Sequence, residues 1–426
     1  MAASEPLSDR HVDELIRKRI AELEEIPFAP RADLPFIVAD WTKTLRQHQR
    51  WIHLLPQIQP FYAVKCNPDR CLLRFLADLG LGFDCASSAE IQLVLGLGID
   101  PSRIIFSHPC KAISALQMAS SRGVLLATFD NSDELDKIKS VSPNMQLLLR
   151  VYAQDDTARS SLGKKFGAHL NTTHSLLLKA RALDLKVVGV NFHIGSAAFD
   201  PKAFLTAARD ARRVFDEGRE LGFDMTILDV GGGFQDSNFD SMASSLQLAI
   251  EHEFPGWNVR LMAEPGRFYA SSYYTLACKV ISRRKHSSGG DSSAQVDMLY
   301  QNDGIYGCFL SRLTEDGSFA PTLIPVDKGY GVSRSQGRHI YSLWGPTCDS
   351  VDCISEGAAL HCEAMVGDWL KYQNMGAYTA ASSTSFNGFP NVYEILYVTP
   401  RLMSGRETWG EVPLRQVVIQ EDASCN

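Results

Sequence analysis

The sequence predicts an α/β plus β chain, a (β/α)8 TIM-like barrel joined to a second, mainly antiparallel β-barrel or sandwich domain. Three observations lead there. From about residue 57 to 270, strand-like apolar runs alternate eight times with amphipathic stretches. Such alternation implies parallel pairing through right-handed crossovers, and eight units suggest closure into a barrel rather than an open doubly wound sheet. Next, polar residues collect at the C-terminal ends of the runs: Lys65, Asp84, Asp130, Arg150, His193, Gly231 to Gly233, and Glu264 with Arg267. A barrel brings all these ends to one face, where active sites are built. Finally, after about residue 271 the texture changes to short β-prone runs between turn-rich segments. At 426 residues the chain exceeds what one ordinary core supports.

The elements follow in order. Met1 to Glu25 is charged and helix-prone with no apolar h-region, so no secretory signal is expected. Residues 26–40 can lend a strand to the second domain. The barrel is therefore expected over 41–270, and the β domain over 1–40 with 271–426. Barrel strands are predicted at Phe61–Val64, Leu81–Cys85, Ile104–Ser107, Leu125–Phe129, Gln146–Val151, Lys186–Phe192, Met225–Val230 and Val259–Ala263. Helices are predicted over Arg70–Leu79, Ala89–Leu97, Ala112–Arg122 and Pro201–Leu221, the last with Phe204, Ala207, Ala208, Ala211, Val214 and Phe215 at helical spacing. Ser132 before Glu134-Leu135 reads as a capped helix start. In the second domain the β-prone runs are Tyr273–Ile281, Val296–Tyr300, Thr322–Pro325, His339–Leu343 and Val392–Val398.

Composition narrows the function classes. Hydrophobic content of 45% and charged content of 21% are ordinary for a globular protein. A formal net charge of -7 argues against nucleic acid or an anionic membrane as partner. No apolar run reaches a membrane span. The ten cysteines form no CxxC pair and no cluster with histidine, so neither a metal site nor a disulfide framework is expected. A reducing, cytoplasmic setting fits best.

The chemistry begins with Lys65, which ends the run Pro60-Phe61-Tyr62-Ala63-Val64. A lysine at the end of a buried strand is expected to be held rigidly and desolvated, and such an amine attacks a carbonyl to form a Schiff base. The bland alternative is a lysine that snorkels to water. Asp229-Val230-Gly231-Gly232-Gly233-Phe234 offers backbone N–H groups to an anion such as a phosphate, or is only a tight turn. Ala263-Glu264-Pro265-Gly266-Arg267 ends the next strand. Arg267 can grip a phosphate bidentately and Glu264 can bind a ring nitrogen, or the two form an internal ion pair. In Phe192-His193-Ile194-Gly195-Ser196, His193 can stack on a flat ring and Ser196 can bond a phosphate. An amine, a phosphate cradle, a carboxylate and an imidazole on one face together describe a site for pyridoxal 5′-phosphate. In the second domain, Cys348 can donate a proton and Asp349 can anchor a cation, while Gly376-Ala377-Tyr378 and Ser385-Phe386-Asn387-Gly388-Phe389 can close a site.

The ordered motifs PFYAVKCNP, FDCAS, FHIGS, LDVGGGF, AEPGRF, NDGIYG, WGPTCDSVD and NMGAYT…FNGF resemble those of the eukaryotic ornithine decarboxylases, pyridoxal-phosphate enzymes of the alanine-racemase-like fold. The likeness runs from about residue 25 to 400. It implies a carbon–carbon lyase that removes the carboxylate of a basic L-amino acid and releases an amine. It implies that Lys65 binds the cofactor's aldehyde, Glu264 keeps the pyridine nitrogen protonated and His193 stacks on the ring. Ser196, Gly233, Arg267 and Tyr378 would bind the phosphate, with Gly232, Pro265 and Gly266 shaping the loops and Asp84 and Arg150 in support. Cys348 would protonate the alpha carbon and Asp349 would bind the substrate's distal ammonium, both reaching the site from the other subunit of a homodimer. Lys165 and Asp352 match positions that pair across that dimer.

One segment departs from the family. A Tyr-Asp pair that contacts the distal amine there falls, aligned without gaps, on Thr314-Glu315, or by a one-residue slip offers Asp316. The changed pocket, with Phe386 nearby, suggests an alternative substrate: an ornithine-like or lysine-like amino acid with a modified side-chain amine, as in specialised alkaloid-type metabolism. A non-catalytic regulatory homologue would lack cofactor residues, and Lys65, Glu264, Arg267 and Cys348 are all present. A racemase would need a tyrosine base in place of the Cys348-Asp349 segment.

Overall fold

The structure is a computed structural model describing residues 7–29, 31–153, 163, 165–195, 200, 202–285, 296–315, 317–327 and 333–398. The chain divides into two compact units. One comprises 46–270, the other 1–45 with 271–426.

The unit 46–270 is a closed parallel barrel of eight strands: β2 (Ile58–Ala63), β3 (Gly82–Cys85), β4 (Ile104–Phe106), β5 (Leu126–Phe129), β6 (Gln146–Arg150), β7 (Lys186–Asn191), β8 (Ile227–Asp229) and β9 (Arg260–Ala263). Register places Phe61, Ile105, Leu126, Leu148, Ile227 and Met262 in one apolar cluster that plugs the interior. Gly82 faces Phe61 because any Cβ there would collide with the ring. Gly189 likewise lets β7 approach β8, since its Cβ would overlap the Ile227 carbonyl. Two residues beyond that plug, side chains turn polar. Asp84, Ser107, Thr128, Arg150, Asn191, Asp229 and Glu264 are all buried. Period-two alternation along a strand sets this layering, with a dry lower layer and a polar upper one at the C-terminal mouth.

The helices at Arg70–Asp78, Ser88–Leu95, Ile113–Ser121 and Lys202–Glu220 agree with their predicted ranges to within two residues. The cap expected at Ser132 belongs to Asn131, whose side chain accepts from Glu134 N at 2.9 Å. Ser132 is instead the first helical residue. Ser and Asn are both good N-caps, and only the backbone geometry decides between neighbours.

The other unit is built on β1 (Phe36–Asp40), β10 (Tyr274–Arg284), β11 (Asp297–Gln301), β12 (Thr322–Ile324), β13 (Gln336–Trp344), β14 (Cys353–Cys362), β15 (Trp369–Tyr372) and β16 (Glu394–Val398). Five of its strand pairs are antiparallel, and two, β1 with β16 and β11 with β13, are parallel. β14 and β15 escape sequence prediction because their apolar residues are interrupted by Ser355, Glu356 and Lys371. The helix Leu7–Glu25 lays Val12, Ile16, Ile20 and Leu23 against Phe36, Val38, Ala277 and Trp369, giving this unit its core. No described helix is long and apolar enough to cross a membrane.

Candidate active site

Each barrel residue singled out by sequence stands at a strand end, and the loop after it fixes its direction. Lys65 lies two residues beyond the end of strand β2, in the short 3-10 turn Val64–Cys66. Its Nζ is 2.8 Å from Asp84 Oδ2. Ser107 Oγ donates to the other oxygen of Asp84. The expected desolvation of Lys65 is corrected here. Asp84 is 1% exposed, whereas the Lys65 side chain is 44% exposed. The chain turns at Val64, so the amine projects into the open mouth rather than staying in the strand layer.

The glycine triplet makes a true cradle. Gly231 and Gly233 have φ of +66° and +112°, in the region that favours glycine. A Cβ on Gly232 would lie 2.8 Å from His193 Nε2 and 2.9 Å from the Glu264 carbonyl. Asp229 Oδ1 holds the loop by accepting from Gly231 N at 2.9 Å. Pro265 O accepts from Ala63 N at 3.3 Å, and a Cβ on Gly266 would press to 3.0 Å on Cys66 Cβ, so the two loops flanking Lys65 are in contact. Both loops are anchored by the aromatic residue that follows them. Phe234 and Phe268 pack with Trp51 at ring distances of 5.2 and 5.8 Å, and Phe239 stacks on Phe268 at 4.0 Å. Rigid support of this kind holds a binding loop near its productive geometry.

The electrostatics come from crowding acids in a dry interior. Burial, then the neighbouring charges of Asp229 and Asp84, push Glu264 well up from the ordinary glutamate range, while Lys65 and Arg150 oppose the shift. Burial raises Asp229 to about 6, against the downward pull of the hydrogen bond from Gly231 N–H. Glu264 Oε1, Asp229 Oδ2 and the Asn191 amide are buried with no hydrogen-bond partner among the described residues. Desolvation, then Arg150 and Lys65, hold the His193 imidazole well below its usual value. His193 Nδ1 accepts from Gly195 N at 3.0 Å, so the neutral ring carries its hydrogen on Nε2. Arg150 is 8% exposed, with its guanidinium over the Phe166 ring. Asp130 turns away to accept from Gly167 N at 2.8 Å. Ser196 lies outside the described residues.

A pyridoxal phosphate makes specific demands. Its aldehyde needs an accessible amine, its phosphate a backbone cradle, and its ring nitrogen a buried carboxylate with an open lone pair. Lys65, the 231–233 loop and Glu264 Oε1 meet these demands, so the residues fit the cofactor.

The second group belongs to the other unit. The Tyr306 hydroxyl donates to Asp349 Oδ2, Val351 N donates to Asp349 Oδ1 at 3.0 Å, and Cys348 N donates to Asn387 Oδ1 at 3.0 Å. Phe386 stacks on Tyr306 at 4.3 Å and 27°. The Tyr306 bond holds the Asp349 carboxyl below its ordinary value, so the anion is favoured. Tyr378 sits at φ +56°, a strained conformation for a bulky residue and a mark of functional sites. Thr314 ends the short helix Ser311–Thr314 with its hydroxyl turned back to Leu310 O at 3.5 Å, and Glu315 is the C-cap. Asp316 lies outside the described residues. Asp352, expected to pair with Lys165 across a dimer, is buried within its own unit. It accepts from Ile305 N at 2.7 Å and from Thr347 N at 3.0 Å and Oγ1 at 2.6 Å. Lys165 rests its ammonium over Phe166.

Sequence reading gave no role to Ser107, Asn191, Asp229 or Tyr306. The first three carried a usable signal, a polar residue at or just past the end of an apolar strand. Tyr306 carried none, because only the fold brings it to Asp349.

Residues 42–271 match the family model described as pyridoxal-dependent decarboxylase, pyridoxal binding domain. A relative named decarboxylase flvG from Aspergillus flavus is 46% identical over 365 residues, covering 86% of each chain. An ornithine decarboxylase from Neurospora crassa is 43% identical over 424 residues, covering 93% of this chain and 87% of its own. The arginine decarboxylase of Paramecium bursaria Chlorella virus, solved bound to agmatine, superposes with a TM-score of 0.81 at 36% identity, covering 90% of this chain and all of that one. With that agreement along most of its length and a mouth that fits the cofactor, the chain belongs to the pyridoxal-dependent decarboxylases.

Proposed function

We propose that this enzyme decarboxylates a basic L-amino acid of the ornithine type, with the barrel as the pyridoxal-phosphate domain. The observation that carries the reading is Glu264 Oε1, a buried carboxylate oxygen with no hydrogen-bond partner among the described residues, in the same mouth as the Lys65–Asp84 pair. The cofactor, when bound, supplies the electron sink that makes loss of the alpha carboxylate feasible. The chain's own groups do the rest. Asp84 and Ser107 aim Lys65 at the aldehyde. Glu264 accepts a hydrogen bond at the ring nitrogen, and the neutral His193 ring is offered to stack on the cofactor. Gly232, Gly233, Arg267, Tyr378 and Ser196 hold the phosphate, with Pro265 and Gly266 setting the loop and Arg150 adding positive charge. Asp349 takes the substrate's distal ammonium and Cys348 delivers a proton to the alpha carbon. Both act from the partner of a homodimer, and Phe386 walls the pocket. The nine described cysteines are free thiols, in keeping with a cytoplasmic setting.

A second reading concerns only the substrate. Thr314 spends its hydroxyl on its own helix and Glu315 is half-buried at the helix end, so the distal pocket lacks a tyrosine ring at that point. That supports an ornithine- or lysine-like amino acid with a modified side-chain amine, because a pocket that must pair polar groups discriminates strongly. Release of carbon dioxide from ornithine, lysine and N-alkylated analogues, with added pyridoxal phosphate, separates the readings. Strong preference for ornithine with ordinary turnover removes the second; no release from any of them, with cofactor bound, removes both.

A further inference from the structure

We propose that Asp303 is a positioning residue for substrate recognition. It clamps the turn 303–308, which fixes Tyr306, and Tyr306 in turn fixes Asp349. The inference rests on Asp349 reading the distal ammonium, as proposed above.

Asp303 is buried, and its Oδ1 accepts from Gly304 N at 2.8 Å, Cys308 N at 3.3 Å and Tyr393 OH at 3.3 Å. Its Oδ2 shares the Cys308 donor at 3.4 Å. Gly307 passes so close that any Cβ there would overlap Asp303 Oδ1, so the turn is wound directly on this carboxylate. Tyr306 sits within it. Its carbonyl accepts from Thr384 N at 2.8 Å, its ring stacks on Phe386, and its hydroxyl bonds Asp349. Asp352 ties the same turn, at Ile305 N, to the 345–352 loop that carries Cys348 and Asp349. Two segments distant in sequence, 345–352 and 384–386, therefore converge on Tyr306.

Only donors face Asp303, so its ionised form holds the turn. Burial opposes ionisation and pushes this carboxyl up to about 7. The titratable groups around it are Cys278, Cys308, Tyr372 and Tyr393, all shifted upward by burial and so neutral near pH 7. Protonating Asp303 puts an O–H against N–H and O–H donors and loosens the turn. Two consequences run in opposite directions. A carboxyl raised in the folded state costs stability as pH rises from its unfolded value through about 7. Over the same span the turn tightens and substrate KM falls.

The test uses the holoenzyme with L-ornithine and L-lysine as probes. In Asp303→Asn, KM for the better substrate at alkaline pH is expected to rise about tenfold with kcat nearly unchanged, the mark of lost uniform binding. The wild-type rise in KM on acidification should vanish in the variant, and so should this group's share of the melting-temperature fall between acid and alkaline pH. Adding Tyr306→Phe should change KM little further, because both act through one chain of contacts. An unchanged KM in Asp303→Asn, or full additivity with Tyr306→Phe, overturns the proposal. If Asp303→Asn does not fold, the wild-type profile decides, because a KM flat across neutral pH overturns the idea. An Asp349→Asn enzyme with unchanged KM for both probes overturns instead the reading of Asp349 on which this rests.

Discussion

Lys65 Nζ stands 2.8 Å from Asp84 Oδ2 at the barrel mouth, with the amine half in solvent and the carboxylate fully buried. The pair is lopsided. Asp84 is held from its other oxygen by Ser107 Oγ, whereas Lys65 lies in the short turn beyond strand β2. Asp84 is thus the fixed point from which the amine is aimed. Asp84→Ala is expected to loosen pyridoxal phosphate and lower kcat by about 10- to 100-fold, since a charge-assisted bond is worth about 1.5–3 kcal/mol. Lys65→Ala should abolish covalent capture altogether. Dialysis followed by absorbance of retained cofactor measures both, and full retention in Lys65→Ala would contradict the assignment.

Gly232 gives a sharper geometric test. An alanine Cβ would press on His193 Nε2 and on the Glu264 carbonyl at once, one a side chain and the other backbone. The loop must then shift, and the barrel below it need not. Gly232→Ala should fold with a melting temperature within a few degrees of wild type and bind pyridoxal phosphate about 100-fold more weakly by fluorescence titration, reflecting misplaced phosphate donors. Equal affinity would remove the triplet from the phosphate site.

His193 links the site to acid stability. Its folded pKa is depressed, so the unfolded chain binds the proton more readily. The folded state is therefore favoured above the unfolded histidine value of about 6.5 and loses that advantage as pH falls through it. His193→Gln, which cannot charge, should flatten this part of the melting profile between about pH 7 and 5. A variant melting in parallel with wild type across that window would mean the ring already exchanges protons freely.

Cys348 is exposed and tied to Asn387 through its backbone only, so its thiol is free to act. Cys348→Ala should lower kcat about 10- to 100-fold, in the range of a lost general acid, with substrate KM little changed. Stopped assays with product analysis also read whether the proton still arrives at the alpha carbon. An unaltered kcat would return Cys348 to the role of a loop residue.

Much of this was legible in the chain. Alternating runs gave eight barrel strands, and strand-end polar residues marked the mouth, because a parallel barrel converts sequence position into one spatial face. The departures have physical causes. Lys65 reads as a strand residue, yet the chain turns at Val64 and carries it out of the strand, and one-dimensional periodicity does not register a single 3-10 turn. Asn131 rather than Ser132 caps its helix because adjacent good caps compete on backbone angles alone. β14 and β15 hide their strands behind charged outward faces.

What the sequence determined by itself is the set of groups: an amine, a glycine cradle, a buried acid and an imidazole, each placed at the end of a local element by short-range patterning. What only the tertiary structure decided is their state and their allies. Glu264 and Asp229 rise in pKa because the barrel excludes water and packs two carboxyls in one polar layer. Asp349 accepts from the Tyr306 hydroxyl, and the turn that carries Tyr306 is wound on Asp303, because long-range folding joins segments that no local pattern connects. Desolvation and contact between distant residues are properties of the folded interior, and a linear sequence carries no record of either.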